Sequence, residues 1–322
     1  LPKSDTAIGI AAATRPEYFE KTVQSIASNP EVKKMPTFLF LDCHPDKRQS
    51  QITAQHKVIA KKHLPHCVVV ERPVNFGCGR NIIDLRRQLF DVLGYDKVFV
   101  FEDDCIVSKN YVKYTQNLLT WADENYSNVG IVQGHNFCVL SSDVKKEHLS
   151  KVSSTSTNLW AYLMKKECWD SISETMYKFE SHYLTAKEYM HRPHAAIRDW
   201  FRVLSHDGFS SRGDSPIPVG TGEAEKMELF CQTPPTGQDA ATNISFWVAG
   251  WGRLAPVVNR TLYIGKHGIH YTPKQFDLDG FANHKLDHYS GDGTRKKFEM
   301  FLGSFRDFTP KGDFPGINMV SI

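Results

Sequence analysis

Short, almost wholly apolar runs separated by helix-length amphipathic stretches restrict the fold of this chain more than any other feature. The runs lie at Ala7 to Ala13, Thr37 to Leu41, Cys67 to Val70 and Lys97 to Phe101. A strand apolar on both faces must be covered on both faces, and strands that alternate with helices form a mostly parallel sheet. After the first run, Thr14-Arg15-Pro16 starts a helix with Pro at an early position, and Phe19, Val23 and Ile26 share one face of it. A polar helix is expected from about Lys47 to Lys62. Asn75-Phe76-Gly77-Cys78-Gly79-Arg80 opens another that bears Ile82, Leu85, Leu89 and Val92. A helix with Tyr111, Leu118 and Trp121 and a strand around Val129 to Val132 follow.

In sheets of this kind ligands bind outside the carboxyl ends of the strands. The residues in those positions are Thr14 and Arg15, Asp42, Asn75 to Arg80, and Glu102 to Asp104, all polar or glycine-rich. The second half is less regular. It reads as a strand over Asn158 to Met164, a helix over Glu167 to Lys178 and a helical segment over about 181–206. A helix near Gln238 to Gly250 and a strand-like Pro256 to Gly265 come later. Between them, 205–237 is rich in Gly, Pro, Ser and Thr and reads as a lid or a flexible segment. No internal repeat or linker divides the 322 residues, so a single domain is expected.

Composition excludes several classes. With 41% hydrophobic and 23% charged residues the chain can bury a real core. A net charge of +3 is too small for a nucleic-acid or polybasic membrane surface. No apolar run is long enough to span a bilayer. The 7 cysteines are dispersed without a Cys-x-x-Cys pair, which disfavours a zinc knuckle and reads as buried free thiols. No Gly-x-Gly-x-x-Gly follows the first strand, against a dinucleotide-dependent dehydrogenase.

Glu102-Asp103-Asp104 carries the sharpest chemistry. Adjacent carboxylates at the end of a buried strand repel one another unless a cation sits among them. A hard divalent ion, Mg²⁺ or Mn²⁺, held by one or two carboxylates plus substrate phosphates, answers that need. The plain alternative is a solvated acidic turn, but apolar chain on both sides, Val98 to Phe101 and Cys105 to Val107, fixes the acids at a strand terminus.

Asp42-Cys43-His44, Glu102-Asp103-Asp104 and the late run from Pro256-Val257-Val258-Asn259-Arg260-Thr261 to Ile264-Gly265-Lys266-His267-Gly268 follow a known order and spacing. The chain resembles the GT-A fold, nucleotide-sugar-dependent glycosyltransferases, and among them the N-acetylglucosaminyltransferase I type. The resemblance covers about 7–135 well and 155–170 and 238–275 loosely. It implies an α/β, Rossmann-like, mostly parallel central sheet flanked by helices, as one domain. Residues 1–135 would bind the nucleotide sugar and 136–322 the acceptor.

The resemblance further implies that Arg15 faces the nucleotide and that Asp42 accepts a hydrogen bond from the uracil imide. Asp104 would ligate Mn²⁺ (or Mg²⁺), with Glu102 and Asp103 holding ribose, sugar or metal-bound water. Arg80 would meet the diphosphate or the donor sugar. An inverting transfer needs a carboxylate to take the acceptor's proton. Asp239, opening a helix after the flexible segment, is the choice, ahead of Asp207, Asp214 and Glu223, and an ordinary helix cap is its plain alternative. His270 would complete the metal shell. Trp160 reads equally as cleft wall and as core. The donor implied is a UDP-sugar, GlcNAc or similar, and the acceptor a glycan or glycoconjugate hydroxyl. A retaining transferase, a nucleotidyltransferase and a non-catalytic sugar-binding module remain as alternatives. The start at Leu1 leaves a preceding N-terminal anchor open. With one, the likeness implies a secretory, Golgi-type lumen, and without one the cytoplasm.

Overall fold

The computed structural model describes residues 2–43, 49–136, 142–155, 159–185, 191–211, 236–268, 272–278, 280–284, 286 and 298–301. The first half alternates strand and helix. β1 (Thr6–Ala12), α1 (Pro16–Ala27), β2 (Thr37–Leu41), α2 (Gln49–His63), β3 (Val68–Glu71), α3 (Gly77–Arg87), β4 (Lys97–Glu102), the short β5 (Cys105–Val107), α4 (Tyr111–Asn125) and β6 (Val129–Gln133) follow in order. The second half adds α5 (Ser142–His148), β7 (Lys151–Ser154), β8 (Ala161–Lys165), α6 (Lys166–Phe179) and α7 (His194–Ser211). It ends with α8 (Gln238–Val248), β9 (Gly252–Pro256), β10 (Thr261–Tyr263), α9 (Pro273–Leu278) and β11 (Glu299–Met300).

Among the described residues, nine strands form one sheet in the order β11-β7-β9-β6-β8-β4-β1-β2-β3. β1 pairs in parallel with β2 and β4, as do β2 with β3 and β6 with β9. β8 runs antiparallel between β4 and β6, and β7 antiparallel to β9. The sheet is thus mostly parallel and flanked by helices, as the sequence predicts. The reversed strands were not anticipated, because a strand buried on both faces has the same apolar sequence in either direction.

Side chains alternate along β4 into two cores. Phe99 and Phe101 pack with α1, α2 and α4 on one face, through Phe19, Val23, Ile26, Ala60 and Leu118. Val98 and Val100 pack with α3, α6, α7 and α8 on the other, through Ile82, Leu85, Ile172, Ile197 and Ile244. β3 departs from expectation: as the outer strand its Val68 is 39% exposed rather than buried. Val92, expected on the buried face of the α3 helix, is exposed, because the helix widens into a π-turn over Gln88–Val92. Of the strand-like 256–265 segment, Pro256 ends β9 and only Thr261–Tyr263 forms a further strand, β10, which pairs with β5 as a separate two-stranded ribbon. No helix among the described residues is long and apolar enough to cross a membrane.

Candidate active site

The acids lie where β4 leaves the sheet. Glu102 is the last residue of β4, and Asp103 and Asp104 make the turn into β5. Both aspartates are buried. Arg15, just before α1, answers their charge: its Nη2 lies 2.7 Å from Asp103 Oδ1 and 2.7 Å from Asp104 Oδ2. Asp103 Oδ2 also accepts the Ala13 N–H at 3.3 Å, and Thr22 Oγ1 donates to the Asp103 carbonyl at 2.9 Å. The strand-end residues of β1 and β4 are therefore brought together. Burial and then Asp103 push the Asp104 carboxyl up to about 6 against the pull of Arg15. Burial and then the neighbouring carboxylates of Asp239, Asp104 and Asp103 raise Glu102 well above the usual carboxylate range.

The β5–β10 ribbon closes over this turn. Ile264 N–H donates to the Asp104 carbonyl at 2.9 Å, which brings Gly265 against the carboxylate. A Cβ on Gly265 would lie 2.4 Å from Asp104 Oδ2 and 2.3 Å from the Tyr263 hydroxyl, so no larger residue fits without displacement. Tyr263 stacks on Trp160, with ring centroids 4.2 Å apart and planes 18° apart. Trp160 is buried, the core alternative of the sequence reading, though it lies beside the site. Glu102 N–H donates to its carbonyl at 3.3 Å. The loop after β10 returns to Arg15, whose Nη1 reaches the His267 carbonyl at 3.5 Å.

Asp42, after β2, is buried and its oxygens accept the N–H groups of Cys43, Phe76 and Gly77, each at 2.8 Å. It thereby fixes the turn that opens α3, in which Gly77 takes a left-handed φ of 70°. Burial raises its pKa, and those three N–H groups oppose the rise. Arg80 pairs with Glu180 at 3.2 Å, and its guanidinium lies 3.8 Å from the centroid of the Phe76 ring. Sequence reasoning passed over Arg72. It is buried at the end of β3, pairs with Asp84 at 2.6 Å, donates to Asn81 Oδ1 at 2.9 Å and stacks near Phe40 and Phe76. Its position after the strand was the available signal.

Asp239 lies in the first turn of α8. Gln238 Nε2 donates to its Oδ1, and the Leu159 backbone hydrogen-bonds to it. Because Leu159 adjoins Trp160, whose carbonyl accepts from Glu102, Asp239 stands beside the acidic turn. Burial raises its pKa, while Arg86 and Arg253 favour its charged form. Arg86 is fully buried and donates to the Tyr162 hydroxyl at 2.8 Å and to Thr242 Oγ1 at 2.9 Å. The Cys78 Sγ also approaches the acids, at 3.8 Å from Glu102 Oε2. Of the cysteines, Cys105 and Cys168 are buried as expected, but Cys43 and Cys67 are half-buried and Cys78 is exposed.

His270, Asp214 and Glu223 lie outside the described residues, as do most of 205–237 and the side chain of Asp207. Among the described residues no group of three or more His, Cys, Asp or Glu side chains is placed to hold a metal ion. Mg²⁺ bound largely through substrate phosphates needs only one or two carboxylates. The Asp103–Asp104 pair fits that requirement, since a cationic nitrogen already bridges one oxygen of each.

No protein-family model and no curated protein matches the chain. Among solved structures it is similar to S. aureus TarS 1-349, at 12% identity over 63% of this chain and 64% of that one, with a TM-score of 0.37. It is similar to mannosyltransferase PcManGT from Pyrobaculum calidifontis in complex with GDP-Man and Mn²⁺, at 13% identity over 73% of each chain, TM-score 0.37. A cytidylyltransferase from Leptospira borgpetersenii is similar at 9% identity over 75% of this chain and 92% of that one, TM-score 0.36. The chain spans less than two thirds of TarS 1-349 and 40% of the longer TarS structure.

Proposed function

We propose that the chain is a metal-dependent, inverting glycosyltransferase of the GT-A type that moves a sugar, GlcNAc or similar, from a UDP-sugar to a hydroxyl of a glycan or glycoconjugate. One observation carries this reading: Asp239, from the far half of the chain, stands beside Glu102-Asp103-Asp104 at the carboxyl end of β4. In this reading charge-binding and proton-accepting carboxylates come from the two halves of the chain and meet at one strand end.

In this reading Asp103 and Asp104 hold Mn²⁺ or Mg²⁺, and the ion, when bound, neutralises the departing diphosphate as a Lewis acid. Arg15 supplies a further positive charge from the end of β1. Asp42 faces the base, held rigid by the Cys43, Phe76 and Gly77 amides. Asp239 takes the proton of the acceptor hydroxyl. The Gln238 amide and the Leu159 backbone orient its carboxylate, and Arg86 and Arg253 keep it available in its charged form. Its raised pKa makes it a stronger base than an exposed aspartate.

The test is a panel of UDP-sugars with Mn²⁺, following UDP and pyrophosphate separately. UDP released from one donor, abolished by chelator and by Asp104→Ala, supports the proposal. Pyrophosphate release would favour a nucleotidyltransferase, and failure of every donor together with failure of UDP to bind would end the glycosyltransferase reading. The anomeric configuration of the product separates inversion from retention.

A further inference from the structure

Arg15 makes its two carboxylate contacts through one nitrogen. Nη2 is 2.7 Å from an oxygen of Asp103 and 2.7 Å from an oxygen of Asp104. Those are the oxygens that the proposed divalent ion needs. The rest of the guanidinium is weakly held: Nη1 reaches the His267 carbonyl at only 3.5 Å, and the Tyr18 ring centroid lies 5.3 Å away. One turn of the side chain therefore breaks both strong contacts, and the side chain is 25% exposed.

We propose that Arg15 is a resident counter-ion that competes with the divalent metal for Asp103 and Asp104, so that metal enters readily only when a nucleoside diphosphate gives the guanidinium another anion. The inference rests on the metal-binding reading of the acidic turn. A metal arriving alone must evict a cation from two charge-assisted hydrogen bonds and leave that cation without a carboxylate. A diphosphate arriving with the metal takes the guanidinium in the fork geometry that suits phosphate oxygens. Metal and nucleotide then favour each other's binding by the same factor, since coupling of this kind is reciprocal. Arg15 thereby selects the metal–diphosphate pair over the free metal.

The experiment measures Mn²⁺ affinity from the electron paramagnetic resonance signal of the free ion, with and without UDP, for the parent chain, Arg15→Met and Arg15→Lys. The parent should bind Mn²⁺ alone weakly and about tenfold or more tightly with UDP. Arg15→Met should bind Mn²⁺ alone several-fold more tightly than the parent, with a smaller gain from UDP, and adding Asp104→Ala should erase the improvement. Arg15→Lys, whose ammonium has no fork, should fall between the two, and it decides the matter if thermal melts show that Arg15→Met does not fold. Equal or weaker Mn²⁺ binding by the Arg15 variants, with normal UDP-dependent binding by the parent, overturns the counter-ion role and leaves the metal site standing. No Mn²⁺ binding by any chain, with or without UDP, removes both.

Discussion

Gly265 lies so close to Asp104 that a single added methyl group would meet the carboxylate oxygen at 2.4 Å. The backbone of the β10 loop thus forms one wall of the acidic turn. Gly265→Ala should push Asp104 or the Tyr263 ring aside, at a stability cost of about 1–3 kcal/mol. Mn²⁺ and UDP affinity should fall with it, about tenfold or more. Calorimetric titration checks this, and unchanged binding would show that the wall does not shape the site.

Binding and chemistry should separate between two aspartates. Asp104→Ala removes a buried carboxylate from the metal-binding pair, so both UDP–Mn²⁺ affinity and turnover should collapse. Asp239→Asn keeps the shape of the side chain and should preserve UDP binding within about threefold, while kcat falls by about a hundredfold or more, the scale of lost general-base catalysis. Loss of UDP binding in Asp239→Asn would reassign this residue to the donor pocket.

Arg86 bears on the pH profile. It favours the charged form of Asp239, whose pKa burial has already raised. In Arg86→Met the acid limb of kcat/KM should therefore move to higher pH, because the base holds its proton longer. The same variant leaves the Tyr162 and Thr242 hydroxyls without their buried donor and should lose about 3 kcal/mol or more of stability. A destabilised variant with an unmoved acid limb would confine Arg86 to a structural role.

Two histidines predict acid sensitivity. Burial, then His284, holds the pKa of His135 down to about 3, and burial, then Lys145, holds that of His284 down to about 4. Both fall from 6.5, so the unfolded chain takes up protons first as pH drops. Their stabilising contribution is full above pH 6.5 and is lost as pH falls toward 4 and 3. Asp104 acts in the opposite sense: its pKa rises from 3.8 to about 6, so its contribution is present below 3.8 and lost as pH rises through about 6. Going from pH 7 to pH 5, the melting temperature of the parent should fall relative to that of a His135→Gln, His284→Gln double variant, in which Asp104 acts without the histidines' opposing effect. Equal slopes would remove the histidines from the account.

Much of the site was legible because it follows strands. Apolar runs ending in polar residues place Arg15, Asp42 and Glu102 to Asp104 at one sheet edge by topology alone. Partners set by packing were not legible. Arg72 carries no motif and takes its meaning from Asp84, Asn81 and the rings around it. Glu180 claims Arg80 from a π-turn 100 residues later, a pairing that no local pattern encodes. The pairing of β5 with β10 was not legible, because each strand has only 3 residues, too few to show a period or a partner.

The antiparallel β8 has a practical consequence. β6 belongs to the first half in sequence, yet both of its neighbours, β8 and β9, come from beyond residue 135. Cutting the chain there would leave β4 with a raw edge and β6 with nothing to lie against, an invitation to self-association. The two halves are stitched rather than hinged, so a truncated first half is expected to precipitate when expressed alone.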